Sequence, residues 1–238
     1  MDNISRRSFV SQAAVGVTSF GLLGATASAQ EAQLVWKTSD WKLSEFRGLV
    51  KTPAHIKQVF DVTQISEGRF LNNIKNSFNG LHFGFGFPEQ EVKILAALHG
   101  PANMLNFDDY VWDKYQIGDW LKVTDPATGK PATKNIFYNS KNPAAGGAAS
   151  KDPDNPDSIY QDTSVQALQS RGVQFLCCHT ATEEQAHVLV ARNHLSPSQE
   201  DVVKDLLAHL QPGVLVVTAM VSAIAVLQIE GHYSYVTV

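Results

Sequence analysis

The sequence predicts a single α/β domain of three layers, a mainly parallel sheet with helices on both faces. Three observations carry this. Short apolar runs rich in Val, Ile, Leu and Phe recur along the chain. Segments with three-to-four apolar spacing lie between them. Gly and Pro punctuate the junctions.

The elements follow in order. Residues 30–55 hold Trp36 and Trp41 without a clear period, and are expected to form an N-terminal arm packed on the domain. Gln58 to Val62 alternates and predicts a strand. Phe70, Leu71, Ile74 and Phe78 repeat at helical spacing over about 68–79, with Gly80 as a stop. Val92 to Leu98 is almost wholly apolar, the pattern of a strand central in a sheet. After His99-Gly100-Pro101, a helix is expected over 103–115, with Leu105, Val111 and Trp112 inward. Residues 118–160 are dense in turn formers and predict a long loop insertion.

Order returns with a helix over about 161–171, closed by Gly172, and a third strand, Val173 to Cys178. Thr182 is the expected cap of a helix running to Arg192. Ser196-Pro197-Ser198-Gln199 has the form of a capping box with proline at the first helical position, opening a helix to Leu210. Pro212-Gly213 turns the chain into a fourth strand, Val214 to Val217. A helix over about 220–230 ends at Gly231, and 232–238 is a terminal strand. Strands alternating with helices favour parallel pairing.

The N-terminus predicts a destination. Ser5-Arg6-Arg7-Ser8-Phe9-Val10 precedes an apolar run from Ala13 to Ala25, and Ala27-Ser28-Ala29 supplies a small-x-small cleavage site. This is the pattern of a twin-arginine signal peptide over residues 1–29, with a mature chain starting at Gln30 in the periplasm. The apolar run is short of the roughly 20 residues that span a bilayer, so no membrane span is expected after cleavage. The formal charge of −4 gives no basic face for nucleic acid or an anionic membrane.

Chemistry-bearing residues are few. Cys177 and Cys178 are the two cysteines of the chain, too close in sequence to staple a fold, and neighbours on a strand point to opposite faces. Strand carboxyl ends face the ligand crevice of open α/β sheets, which singles out Cys178, His179 and His99. A thiolate beside a histidine or a helix N-terminus gains acidity and becomes a nucleophile or metal ligand. The competing readings are a small buried hydrophobe for Cys178, and ordinary turn or surface positions for His99 and His179. One Cys and two His would also suit zinc or copper. Glu184 and His187 have an i, i+3 spacing used in carboxylate-bridged metal bundles, but it occurs once, which favours a solvated helix face. His209 near a helix end reads the same way. Phe83, Phe85 and Phe87 alternate with glycines and could line a pocket, an interface or the core. Gly84-Phe85-Gly86 lacks the third glycine of a dinucleotide fingerprint and precedes a strand. The chain has no Gly-x-Ser-x-Gly elbow, His-Glu-x-x-His or Walker loop.

The ordered set 93–101, 172–178, 212–217 and 227–235 resembles the DsrE/DsrF-like family over about 56–117 and 160–238, outside the arm and the insertion. The resemblance implies a five-stranded, mainly parallel sheet over 56–238 and assembly into homo-oligomers. It also implies a persulfide on a cysteine at the end of the third strand, where Cys178 stands. The partners would be small sulfur species or a sulfur-transfer protein, and no cofactor is required. His99 and His179 would then lower the thiol pKa or hold an anion. The alternatives are a Cys/His metal-binding protein and a non-catalytic oligomeric binding module that uses 118–160 as its contact surface.

Overall fold

A computed structural model describes residues 41–141, 150, 152–194 and 197–238. The expected signal over 1–29, residues 30–40 of the arm, Ser196, and 142–149 and 151 of the insertion lie outside the described residues.

Five parallel strands form one sheet in the order β4-β3-β2-β1-β5. They are β1 (Ile56–Val62), β2 (Val92–Leu98), β3 (Gln174–Cys178), β4 (Leu215–Val217) and β5 (Ser234–Thr237). The continuous apolar run of β2 takes the central position, as its composition requires. Alternation along each strand divides the core. Phe60, Val62, Ile94, Leu98, Phe175 and Cys177 face one side. Val59, Leu95, Ala97, Leu176, Cys178 and Val217 face the other.

Helices cover both faces. On the first lie α2 (Arg69–Asn79), α3 (Asp109–Lys114), α4 (Ile117–Leu121), α5 (Val165–Ser170), α6 (His179–Arg192) and α7 (Gln199–Ala208). On the second lie α1 (Leu43–Val50) and α8 (Met220–Ile229). The chain therefore steps from β1 to β4 under one layer of helices. It then returns across the whole sheet to β5 through α8 on the opposite face. Right-handed crossovers demand this change of face when the direction reverses. The helices that follow β3 and β4 leave to opposite faces, which puts the topological switch point at the carboxyl ends of β3 and β4.

Local structure departs from the sequence reading in several places, and the expected loop over 118–160 opens within the helix α4. The arm contains α1, which buries Phe46 and Val50 and is tied down where Tyr233 Oη donates to Leu49 O at 2.8 Å. The single helix expected over 103–115 is a 3-10 segment, Gly100–Asn106, followed by α3. Asp108 separates the two by capping α3 at Val111 N. Cys178, not Thr182, caps α6, and the Thr182 hydroxyl bonds back to Cys178 O at 3.0 Å. The capping box is real but lies two residues later than expected, formed by Ser198 and Asp201, with Pro197 ahead of the cap.

Asp205 on α7 ties that helix to α3. Burial alone would raise its pKa. Donors from Tyr115 Oη at 2.6 Å and Lys114 Nζ at 2.9 Å outweigh burial and hold it below the ordinary value. Stability from this site is therefore present above the unfolded carboxylate pKa of about 3.9 and is lost as pH falls through the lower folded value. Urea midpoints should drop as pH falls below about 4, and Tyr115→Phe should flatten that limb. Equal acid slopes in both proteins would remove Asp205 from the account.

Candidate functional site

The site is built at the carboxyl edge of the sheet, on the face covered by α8. Cys178 ends β3 and is 4% exposed. Its Sγ accepts from Ala181 N in the first turn of α6 and from Met220 N at the start of α8, both at 3.4 Å. Two helix N-termini thus converge on one sulfur, and each favours negative charge there. Burial is the larger effect and raises the thiol pKa, with the Ala181 and Met220 amides opposing it. Cys177 points to the other face, fully buried against the Thr182 hydroxyl at 3.6 Å, and burial pushes its thiol up to about 12.

The backbone of Cys178 is fixed from below by Asn103. That side chain is fully buried and accepts from Cys178 N at 2.9 Å. Its amide donates to Thr182 Oγ1 and Gln185 Oε1, both at 3.0 Å. Gln185 Nε2 in turn donates to Gly100 O at 2.5 Å. The turn after β2 and the start of α6 are therefore one hydrogen-bonded unit.

His99 follows β2 directly. Leu98 pairs with Cys177, so the next position in register sets His99 level with Cys178 on the neighbouring strand. His99 keeps extended backbone, and alternation from Ala97 gives it the same face as Cys178. Its Nε2 lies 2.6 Å from Asp61 Oδ1, and Tyr235 Oη donates to Asp61 Oδ2 at 2.5 Å. Asp61 and Tyr235 belong to β1 and β5, which pair at one side of the sheet. Asp61 and His99 are partly buried, while Tyr235 is 45% exposed.

The structure thus brings two of the three expected residues, Cys178 and His99, to one edge and one face. His179 is the first residue of α6 and is buried. Sequence reasoning missed Asp61 and Tyr235. The available signal was Asp61 itself, the one carboxylate in an otherwise apolar or neutral strand end.

Other candidates separate from this edge. Glu184 and His187 are exposed on α6, as a solvated face requires. His209 stacks on Tyr110 at 4.1 Å and contacts Asp205 O through Nδ1. Phe83 packs edge-on to Tyr160 at 4.9 Å and Phe87 against His55 at 5.3 Å, while Phe85 is 78% exposed. A cleft of about 650 Å³ is lined by residues that include Glu67, Leu71, Ile136, Phe137, Gln161 and Asp162, and neither Cys178 nor His99 lines it. Among the described residues, no group of three or more His, Cys, Asp or Glu side chains is placed to hold a metal ion. No helix of the described residues is long and apolar enough to cross a membrane.

Comparison with protein-family models, curated proteins and solved structures finds no match for this chain.

Proposed function

We propose that this chain is a sulfur-handling protein of the DsrE-like kind, exported to the periplasm, in which Cys178 carries sulfane sulfur. The observation that carries the reading is the Cys178 Sγ between the Ala181 and Met220 amides. Those donors offset part of the cost of a buried sulfur anion, as thiolate or as persulfide. Loading is written as exchange with a donor persulfide. The Cys178 thiolate attacks the terminal sulfur of the donor, the donor S–S bond breaks, its thiolate leaves, and Cys178 holds the new S–S bond.

Incubation with a polysulfide donor, followed by intact mass, tests this. The unsubstituted protein and Cys177→Ser should gain a reductant-sensitive adduct of about 32 Da, one sulfur atom, while Cys178→Ser should gain none. Equal loading of the two variants sinks the assignment.

A further inference from the structure

The sulfur of Cys178 lies where the helices after β3 and β4 leave to opposite faces of the sheet. The first N–H groups of a helix have no partner within it. Here they tie α6 to α8. Ala181 N and Met220 N, one from each helix, donate to Sγ at 3.4 Å. Thr180 joins the two sides directly. Its N–H and its hydroxyl both donate to Thr218 O, between β4 and α8, each at 3.1 Å. A carbonyl oxygen has two lone pairs, and one residue takes both.

The consequence is steric. Cys178 is 4% exposed. Exchange requires the attacking sulfur to meet the donor sulfur, so its rate depends on access. On the sheet side Cys178 is fixed, paired with Val217 and held at its N–H by Asn103. The Thr180–Thr218 side is built differently. Both residues are half-buried, and two hydrogen bonds join segments 38 residues apart in sequence. Helix ends held in this way open at lower cost than core strands.

We propose that the Thr180–Thr218 contact is a clasp that gates Cys178: the N-termini of α6 and α8 part to admit a sulfur donor and close again afterwards. It rests on the reading of Cys178 as the sulfur-carrying residue. Opening breaks both Thr180 bonds. Ala181 moves with Cys178, so its amide stays on the sulfur, while Met220 N withdraws with α8. Thr180 is a positioning residue, and no bond to sulfur is made or broken by it.

Iodoacetamide alkylation of the full chain, resolved by tandem mass spectrometry, tests the clasp with an internal control. Cys177, fully buried in the opposite core, is reached by global unfolding. When reclosing is fast, each rate follows the population of the open form. Cys178 should label faster than Cys177 and with a weaker dependence on urea, because local opening exposes little surface. Thr180→Val keeps the shape and the N–H bond but removes the hydroxyl, and should speed Cys178 labelling and sulfur loading about fivefold, the shift that one neutral hydrogen bond sets. Thr180→Ser restores the hydroxyl and should stay within about twofold of the unsubstituted protein. Tyr115→Phe, which removes a hydrogen bond elsewhere, should leave the Cys178 rate unchanged. Equal rates and urea dependence at the two cysteines, or loading indifferent to Thr180→Val, overturn the clasp alone. A Cys178 alkylation rate that follows Thr180 with no sulfur adduct in any protein supports the clasp and overturns the sulfur reading.

Discussion

Asn103→Ala is expected to cost about 3–5 kcal/mol, a large part of the stability of an ordinary domain. The side chain is fully buried, and its removal strands the Cys178 N–H and the Gln185 side-chain oxygen without water to replace it. Each stranded group costs about 1–3 kcal/mol, and the small cavity adds to that. Asn106 suffers less, because its amide also donates to Leu176 O at 3.2 Å. Urea unfolding at neutral pH measures the loss, and a change below about 1 kcal/mol would show that the network relaxes around the gap. The same variant frees the strand end that carries Cys178, so sulfur loading should slow even where the protein remains folded.

Gly118→Ala should cost about 3 kcal/mol for a different reason, overpacking against backbone. A Cβ at Gly118 would lie 2.2 Å from Ala132 O and 2.5 Å from Ala132 N. Neither atom can rotate away. Val123 N bonds to Gly118 O at 2.8 Å and Ala132 N to Val123 O at 2.9 Å, so the 123–132 turn is seated directly on this glycine. The added methyl should lift that turn, and limited proteolysis should cut within 123–132 before the rest of the domain. A variant as stable and as resistant as the unsubstituted protein would mean that α4 shifts to make room.

The sheet was legible because its signals are local. The apolar run of β2 and the paired Gly172 and Gly213 stops, both at positive φ, bracket strands within a residue or two of the observed ends. The 103–115 region shows where local reading fails. Leu105, Val111 and Trp112 are inward, as expected. The helix is nevertheless broken, because Asn103 and Asn106 are drawn into hydrogen bonds with β3 and α6, contacts of about 70 residues' separation. The 118–160 segment misleads in the same way. Its turn residues are real, yet Ala132, Asn135 and Ser158 are buried. Asn135 Nδ2 donates to Leu105 O and Phe107 O, both at 2.9 Å, which holds the chain around Asn135 to the domain. Cys178 and His99 could be placed at strand ends from sequence. The partnership of His99 with Asp61 and Tyr235 depends on strand order, and spacing along the chain carries no trace of it.

The opposed orientation of the two cysteines has a kinetic consequence. Many thiol proteins discharge an oxidised sulfur onto a second, resolving cysteine in the same chain. Here the only other thiol, Cys177, is sealed in the opposite core with the β3 backbone between them. A vicinal disulfide would require that strand to leave the sheet. Sulfur or oxidising equivalents placed on Cys178 therefore have no intramolecular exit. If Cys178 carries sulfur as proposed, the lifetime of that sulfur is set by how fast an outside thiol can reach it, and its release should be first order in that acceptor.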